Sequence, residues 1–211
     1  MMLTSSLRIY SSAAWCSLAR AGLASLALVV APIAAAADDD ITVKVDKTDD
    51  SYAVYASLNV PATQDQVWDV LTDFDHMAQI LSNVDDSKIV DRKGNAFNVV
   101  QKSHGNAGPV RVSLNSTRRI DLTPKTEIRS QFVSGDSLKS SVFTTRLAAQ
   151  GSGTQVVVQG TFVPTWLAGS VITVEAVQTQ TRRQYAELRD EILRRKNGEP
   201  RPACLVNKTC P

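Results

Sequence analysis

The 211-residue sequence predicts an α+β fold in which an antiparallel sheet packs against one long C-terminal helix. Three observations support this fold class. Short alternating segments separated by turn residues run from 84 to 163, which is typical of an antiparallel meander. An uninterrupted amphipathic stretch follows at 170–196, and two short helical patterns come directly after the first long strand.

The first elements are two strands and two short helices. Apolar and polar residues alternate around 42–45 and again over 52–60, so both segments are predicted strands. Thr63 and Gln66 then have the spacing of a capping box, which predicts a helix over 64–72. A second short helix is expected over 76–81.

The meander is predicted from its turn signals. Gly94, Pro124, Gly135 and Gly151 each interrupt a run of β-forming residues, and short connectors favour antiparallel neighbours. The expected strands are 84–92, 96–104, 110–122, 126–133, 138–149 and 154–163.

The last element is a helix predicted over 170–196, a stretch without proline or glycine. Its apolar residues recur at helical spacing, and Asn197-Gly198 supplies a stop signal. At ~1.5 Å per residue this helix is long enough to cross a whole sheet.

The N-terminal segment has the layout of a cleavable secretory signal. Arg8 and Arg20 precede the uncharged, Leu- and Ala-rich run 21–37, and the polarity changes abruptly at Asp38. We therefore expect residues 1–37 to be removed by cleavage after Ala37. An uncleaved membrane anchor is the alternative, although the run is shorter than the ~20 apolar residues of a spanning helix.

The exported part is then expected to comprise a domain, 38–198, and a tail, 199–211. Cys204 and Cys210 both lie in this tail, and in an oxidising compartment we expect them to form a disulfide. A redox-active dithiol and a metal site are the alternatives, but the first needs closer spacing and the second needs more ligands.

The charge balance argues against nucleic acid as a partner. The sequence contains 23 basic and 21 acidic residues, and the signal removes two arginines and no acid. The expected mature chain is therefore neutral, whereas phosphate binding requires a concentrated positive field.

The local sequence around the first helix resembles the polyketide cyclase/dehydrase and coenzyme Q-binding START-domain family. The resemblance rests on Val60-Pro61-Ala62-Thr63-x-x-x-Val67-Trp68-x-Val70-Leu71-x-Asp73-Phe74, followed by Ile80-Leu81-x-Asn83-Val84. It extends over about 52–193.

This resemblance implies the helix-grip (START-like) fold, in which a curved antiparallel sheet wraps around the C-terminal helix and encloses an apolar cavity. Relatives in this superfamily bind sterols, phospholipids, quinones or aromatic polyketides, and some are enzymes. The fold alone does not choose among these functions. A secretion signal also argues against carrying over a cytosolic or mitochondrial role.

Strand alternation identifies polar candidates for the cavity wall. Arg118 and Ser116 share the parity of Ile120 on their strand, and Gln101 shares the parity of Phe97 on the preceding strand. A buried guanidinium is costly unless it is paired, so Arg118 needs an internal carboxylate or a polar ligand group. The alternatives are a bulge that turns Arg118 outward, or a position at the rim of the sheet.

Further candidates lie near the expected cavity mouth. His76 is predicted to contact ligand or to be a surface residue, and Met77, Ile80, Trp166 and Val171 are predicted to line the cavity. Neither histidine has partners at metal spacing, so we predict no metal site. We also identify no catalytic residue and expect no cofactor.

These observations together predict a secreted or periplasmic carrier that binds a lipid-like or other hydrophobic small molecule. Its expected partners are that ligand and, transiently, a membrane. Two alternatives remain open: an enzyme acting on an aromatic or polyketide-like substrate, and an envelope interaction module whose cavity is filled by side chains.

Overall fold

The structure is a computed structural model that describes residues 41–107 and 110–201. The predicted signal peptide (1–37), its cleavage site and the Cys204–Cys210 pairing lie outside the described residues. The strands are β1 Ile41–Thr48, β2 Ser51–Val60, β3 Val84–Lys93, β4 Ala96–Ala107, β5 Val110–Ser113, β6 Ser116–Thr123, β7 Glu127–Gly135, β8 Leu138–Gln150 and β9 Gly153–Pro164. The helices are α1 Gln64–Leu71, α2 Met77–Ile80, α3 Trp166–Gly169 and α4 Val174–Lys196, and a 3-10 turn at Phe74–His76 precedes α2.

The strands form one antiparallel sheet, which confirms the predicted α+β helix-grip fold. Its strand order is β1-β2-β9-β8-β7-β6-β4-β3, with β5 pairing with the end of β4. Because β2 pairs with β9, the first long strand lies next to the last one. The segment containing α1 and α2 therefore connects β2 to β3, which lies at the far edge of the sheet.

The single strand predicted over 110–122 is two strands, β5 and β6, in the structure. β5 continues the pairing with the end of β4, whereas β6 pairs with the middle of β4 and with β7. The chain breaks at Asn115, whose backbone N–H and side-chain amide both donate to the carboxylate of Asp136 (3.2 and 2.9 Å). At this position the carboxylate of Asp136, and not a neighbouring strand, accepts the hydrogen bond from the backbone, so the strand bends.

The predicted start of the last helix at Ser170 is also wrong, since α4 begins at Val174. Thr173 caps it, accepting a hydrogen bond from the backbone N–H of Ala176 (3.1 Å). The apolar residues before this cap belong to α3 and to the turn that follows it. Apolar spacing alone did not reveal this boundary, because the pattern continues through the turn.

The two halves of α4 have different surroundings. Leu188 and Ile192, in its C-terminal half, are buried in the main apolar core together with Val67 and Val70 of α1. The N-terminal half, from Ala176 to Tyr185, instead faces open space above the sheet. The fold therefore places a solid core under one half of α4 and a cavity under the other half.

A charged cluster fixes the C-terminal end of α4. The buried carboxylate of Glu191 accepts hydrogen bonds from Arg194 (2.8 Å), Arg195 (2.7 Å) and Arg201 (2.7 Å). Arg195 also donates to Asp73, in the turn after α1 (2.7 Å). The Glu191 cluster thus connects α4, the residues after α1 and the start of the tail.

Gly160 of β9 makes room for an aromatic ring on the neighbouring strand. A Cβ atom at Gly160 would lie 2.4 Å from Cδ1 of Phe143 and 2.4 Å from the backbone oxygen of Val142. The ring can shift, but the backbone oxygen is fixed by the sheet.

We expect Gly160→Ala to destabilise the protein by about 2 kcal/mol through overpacking. The free energy of unfolding in urea is the measurement. Gly105→Ala is the matched control, because its new Cβ would meet Leu114 at an ordinary 3.5 Å. Equal effects of the two substitutions would contradict this interpretation of Gly160.

Candidate functional site

A cavity of about 420 Å³ lies between the inner face of the sheet and the N-terminal half of α4. This volume lies within the range of small-molecule sites. Most of its wall is apolar, and the apolar lining includes Val54, Phe74, Met77, Ile120, Phe143 and Val158. The cavity is therefore suited to the hydrophobic part of a ligand.

Alternation along β4 and β6 places polar side chains in this wall. Gln101 and Ser116 are paired in the register of these strands, and Arg118 follows two residues later on the same face. Arg119 has the opposite parity, and it is exposed and paired with Asp121 (2.9 Å). The two adjacent arginines therefore lie on opposite faces of the sheet.

Arg118 lies deep in the protein without a carboxylate partner among the described residues. It donates through Nη2 to Oε1 of Gln101, and its Nε has no hydrogen-bond partner although it is buried. Its side chain keeps partial exposure because it faces the cavity. Burial lowers the pKa of Arg118, an effect that neighbouring Tyr185 opposes, but an arginine remains protonated in proteins. The described part of the wall therefore carries one positive charge with unused hydrogen-bonding capacity.

Tyr185 of α4 is the second ionisable group in the described wall. Burial raises the pKa of its phenol above the ordinary value of 10.0, and the positive charge of Arg118 only partly opposes this shift. Tyr185 is therefore a neutral hydrogen-bond donor at physiological pH. Together with Arg118 it forms a donor pair next to an apolar space.

Two glutamines on α4 also contribute to the polar part of the wall. Gln184 donates to Oδ1 of Asn83 (3.2 Å), which fixes its position. Gln180 also lines the cavity, and its Nε2 is buried without a hydrogen-bond partner in the structure. A buried donor without a partner costs free energy, which a ligand acceptor would recover.

The chemistry of this wall favours binding. Arg118 and Tyr185 are the only ionisable residues among the described residues that line the cavity, and neither accepts a proton near neutral pH. The site offers donors to a carboxylate, phosphate or carbonyl oxygen, and apolar surface to the rest of a ligand. A general base is missing from this part of the wall.

The structure distributes the remaining predicted site residues differently. Met77 lines the cavity, whereas Ile80 is buried in the core and is not part of the wall. His76 is exposed, and its Nδ1 lies 2.6 Å from Oδ1 of Asp73. Trp166 and Val171 are exposed, and neither is among the described residues that line the cavity.

Tyr185, Gln180 and Gln184 were not identified from the sequence as site residues. Tyr185 has helical spacing with Leu188 and Ile192, so the sequence groups it with the apolar face of the helix. Its hydroxyl group was the available signal, because a buried tyrosine needs a polar partner.

Two further features of the described residues concern metals and membranes. No group of three or more His, Cys, Asp or Glu residues within 41–107 and 110–201 is arranged to hold a metal ion. Within the same ranges no helix is both long and apolar enough to span a bilayer.

Comparisons with known proteins give one family and several solved structures. Residues 52–192 match the family model described as polyketide cyclase/dehydrase and lipid transport. No curated protein matches the chain.

Two of the similar structures have different functions in their names. An aromatase/cyclase from a Streptomyces species has 19% identity and a TM-score of 0.59, covering 69% of this chain and 95% of its own. A STAR-related lipid transfer protein from Xanthomonas axonopodis has 17% identity and a TM-score of 0.58, covering 74% and 94%. At these identities the structures show a shared fold.

Proposed function

Because the chain belongs to the polyketide cyclase/dehydrase and lipid transport family, we propose that it is a carrier for a lipid-like or other hydrophobic small molecule held in the internal cavity. The observation that carries this proposal is a mostly apolar cavity with Arg118 and Tyr185 as its only ionisable groups among the described lining residues. The apolar wall would bury the body of the ligand. Arg118, Gln101 and Tyr185 would orient its polar end.

The proposed ligand carries an acidic or strongly accepting group. Burying a guanidinium without a carboxylate partner in an apolar interior costs free energy. An anionic ligand group would supply the missing partner. The free Nε of Arg118 and the free Nε2 of Gln180 are donors available to such a ligand.

We further propose that the carrier works outside the cytoplasm and takes up its cargo at a membrane. The layout of residues 1–37 supports export. The lipid-like cargo proposed here is found in membranes.

We expect Ser141→Trp to block the cavity. Ser141 is buried on the inner face of β8 and lines the cavity, so an indole at this position would occupy space needed by the ligand. Uptake of hydrophobic molecules from a lipid extract, measured by mass spectrometry of the washed protein, should fall at least about tenfold.

Val142→Trp is the matched control, since Val142 is the next residue on β8 and is exposed on the opposite face of the sheet. Circular dichroism would show that both variants fold. Equal uptake by the two tryptophan variants would contradict binding in this cavity.

An enzyme of the cyclase type is the second candidate, and one observation favours it. Gln101, Ser116 and Arg118 converge on the cavity, whereas a scattered or outward arrangement would have excluded catalysis by these groups. Arg118 and Tyr185 would stabilise negative charge developing on a carbonyl oxygen. The described wall provides no base to remove a proton, so such an enzyme would have to use the substrate's own acidity.

The interaction module has less support. That hypothesis expects an interior filled by side chains, whereas the structure has an open cavity between α4 and the sheet.

A further inference from the structure

Three exposed apolar side chains lie together in the segment between β9 and α4. Trp166 is 83% exposed, Leu167 is 71% exposed and Val171 is 37% exposed. We call these three residues the rim patch. Large apolar side chains with this exposure cost free energy in water, and an exposed apolar patch of a few hundred Å² is often functional.

The segment that carries the rim patch is also part of the cavity wall. Ile172, directly after Val171, lines the cavity, and its backbone oxygen accepts a hydrogen bond from the hydroxyl of Tyr52 (2.9 Å). Thr165, directly before Trp166, donates its backbone N–H to the oxygen of Ser137 (2.9 Å), and Ser137 is another lining residue. Only the segment from Thr165 to Ile172 would therefore separate a partner bound to the rim patch from the cavity.

The segment that carries the rim patch is almost free of charge, although the acidic residue Asp136 lies on the neighbouring β7–β8 connection. Between Pro164 and Thr181 the only charged residue is Glu175. A charged protein or nucleic-acid surface would lose its hydration here without gaining an ion pair. An apolar, uncharged surface with an exposed tryptophan instead matches the interfacial region of a lipid bilayer, where the amphipathic indole is favoured.

The size of the rim patch argues against a second copy of the chain. Three side chains expose on the order of 400 Å², whereas a stable interface buries ~800 Å² on each partner. Shallow insertion into a bilayer has no such minimum area, because each buried side chain contributes separately.

We infer that the rim patch is a membrane-docking surface that inserts into a lipid bilayer and brings the wall of the cavity against the membrane. The inference extends the proposed function. It rests on that function only for the purpose of docking, since docking would serve transfer of the hydrophobic cargo. Binding to lipid by Trp166, Leu167 and Val171 does not itself require a filled cavity.

The test uses vesicles of neutral phosphatidylcholine and the full chain expressed in a host that exports it. Only material whose intact mass shows that the N-terminal segment has been removed is used, because residues 1–37 would bind lipid themselves. The variant is Trp166→Ser/Leu167→Ser. The matched control is Val100→Ser/Val142→Ser, which removes two exposed valines from elsewhere on the sheet. Vesicle flotation measures the bound fraction of each protein.

The expected result is that the original chain and the valine control float equally with vesicles, while the rim-patch variant binds at least about tenfold more weakly. In a Trp68→Phe background, brominated phosphatidylcholine should also quench the fluorescence of Trp166. Uptake of free dansyl-undecanoic acid in solution should be unchanged in the rim-patch variant. That readout separates failure of docking from failure of cavity binding.

Three results would overturn the inference. The first is no flotation of the original chain. The second is flotation only with anionic vesicles and without dependence on the rim patch, which would indicate an electrostatic contact. The third is a dimer in sedimentation equilibrium that Trp166→Ser/Leu167→Ser dissociates, which would assign the patch to a second copy.

Discussion

Replacing Arg118 by methionine is expected to lower the affinity for a long-chain carboxylate about 100-fold, because the ligand's charge would then be buried without a partner. Methionine has a similar length and keeps the apolar contacts of the arginine stem. Dansyl-undecanoic acid is a suitable ligand, since its fluorescence reports binding. Its methyl ester lacks the charge, so we expect Arg118→Met to change the affinity for the ester by no more than about threefold.

Arg119→Met is the control for this prediction. Arg119 is the adjacent residue with the same charge, but it is exposed on the other face of β6 and paired with Asp121. Its replacement should leave both affinities unchanged. If Arg118→Met and Arg119→Met weaken binding equally, the charge acts at long range and Arg118 does not contact the ligand.

The same substitution should act in the opposite direction on the empty protein. Arg118 has a buried Nε without a partner and no carboxylate partner among the described residues, so methionine is expected to stabilise the unliganded fold by about 1 kcal/mol. Thermal unfolding without ligand is the measurement. A binding residue that is costly in the empty state is typical of functional sites. A clear loss of stability would instead indicate a structural role for Arg118.

Replacing Glu191 by glutamine is expected to destabilise the protein by about 3 kcal/mol, a fall in Tm of roughly 9 °C, because three arginines lose their shared carboxylate. Burial acts to raise the pKa of Glu191, but hydrogen bonds from Arg194, Arg195 and Arg201 lower it to about 2. This value lies below the ordinary pKa of 4.5. The contribution to stability is therefore fully present above about pH 5 and is lost as the pH falls towards 2.

The pH dependence provides a second readout of the Glu191 cluster. The difference in unfolding free energy between the original chain and Glu191→Gln should be largest near neutral pH and should narrow below about pH 4. Asp190→Asn is the matched control, since Asp190 is the adjacent acid on α4, and its exposed carboxylate pairs with Arg189. We expect it to change stability by less than about 0.5 kcal/mol. A constant difference across the acid range would contradict the role of the Glu191 charge.

The inward orientation of Arg118 was predictable from strand alternation even though a bulge lies beside it. The register between β6 and β7 shifts between Thr117 and Arg118, where the extra residue is Val133 of β7. The bulge is therefore in the neighbouring strand, and β6 keeps its alternation of faces. A bulge therefore exists next to Arg118, but the residue that it turns outward is Val133, which is exposed.

The orientation of Trp166 and Val171 could not be predicted from the spacing of apolar residues in the sequence. Their apolar character predicted that they line the cavity, but their orientation depends on how α3 and its turn pack against the β7–β8 connection through Thr165 and Ser137. Such contacts between distant segments are not encoded in local periodicity. The helices and strands around them were largely predictable, since caps, turns and alternation are local.

The most direct test of the proposed carrier function is native mass spectrometry of the protein recovered from its own host and compartment. We predict a mass above that of the chain alone, released on denaturation as a hydrophobic molecule with an acidic or accepting group. The additional mass should be absent from Ser141→Trp and retained by Val142→Trp. A bare protein mass for the original chain, both as isolated and after incubation with a lipid extract, would contradict the proposal that the cavity holds a ligand.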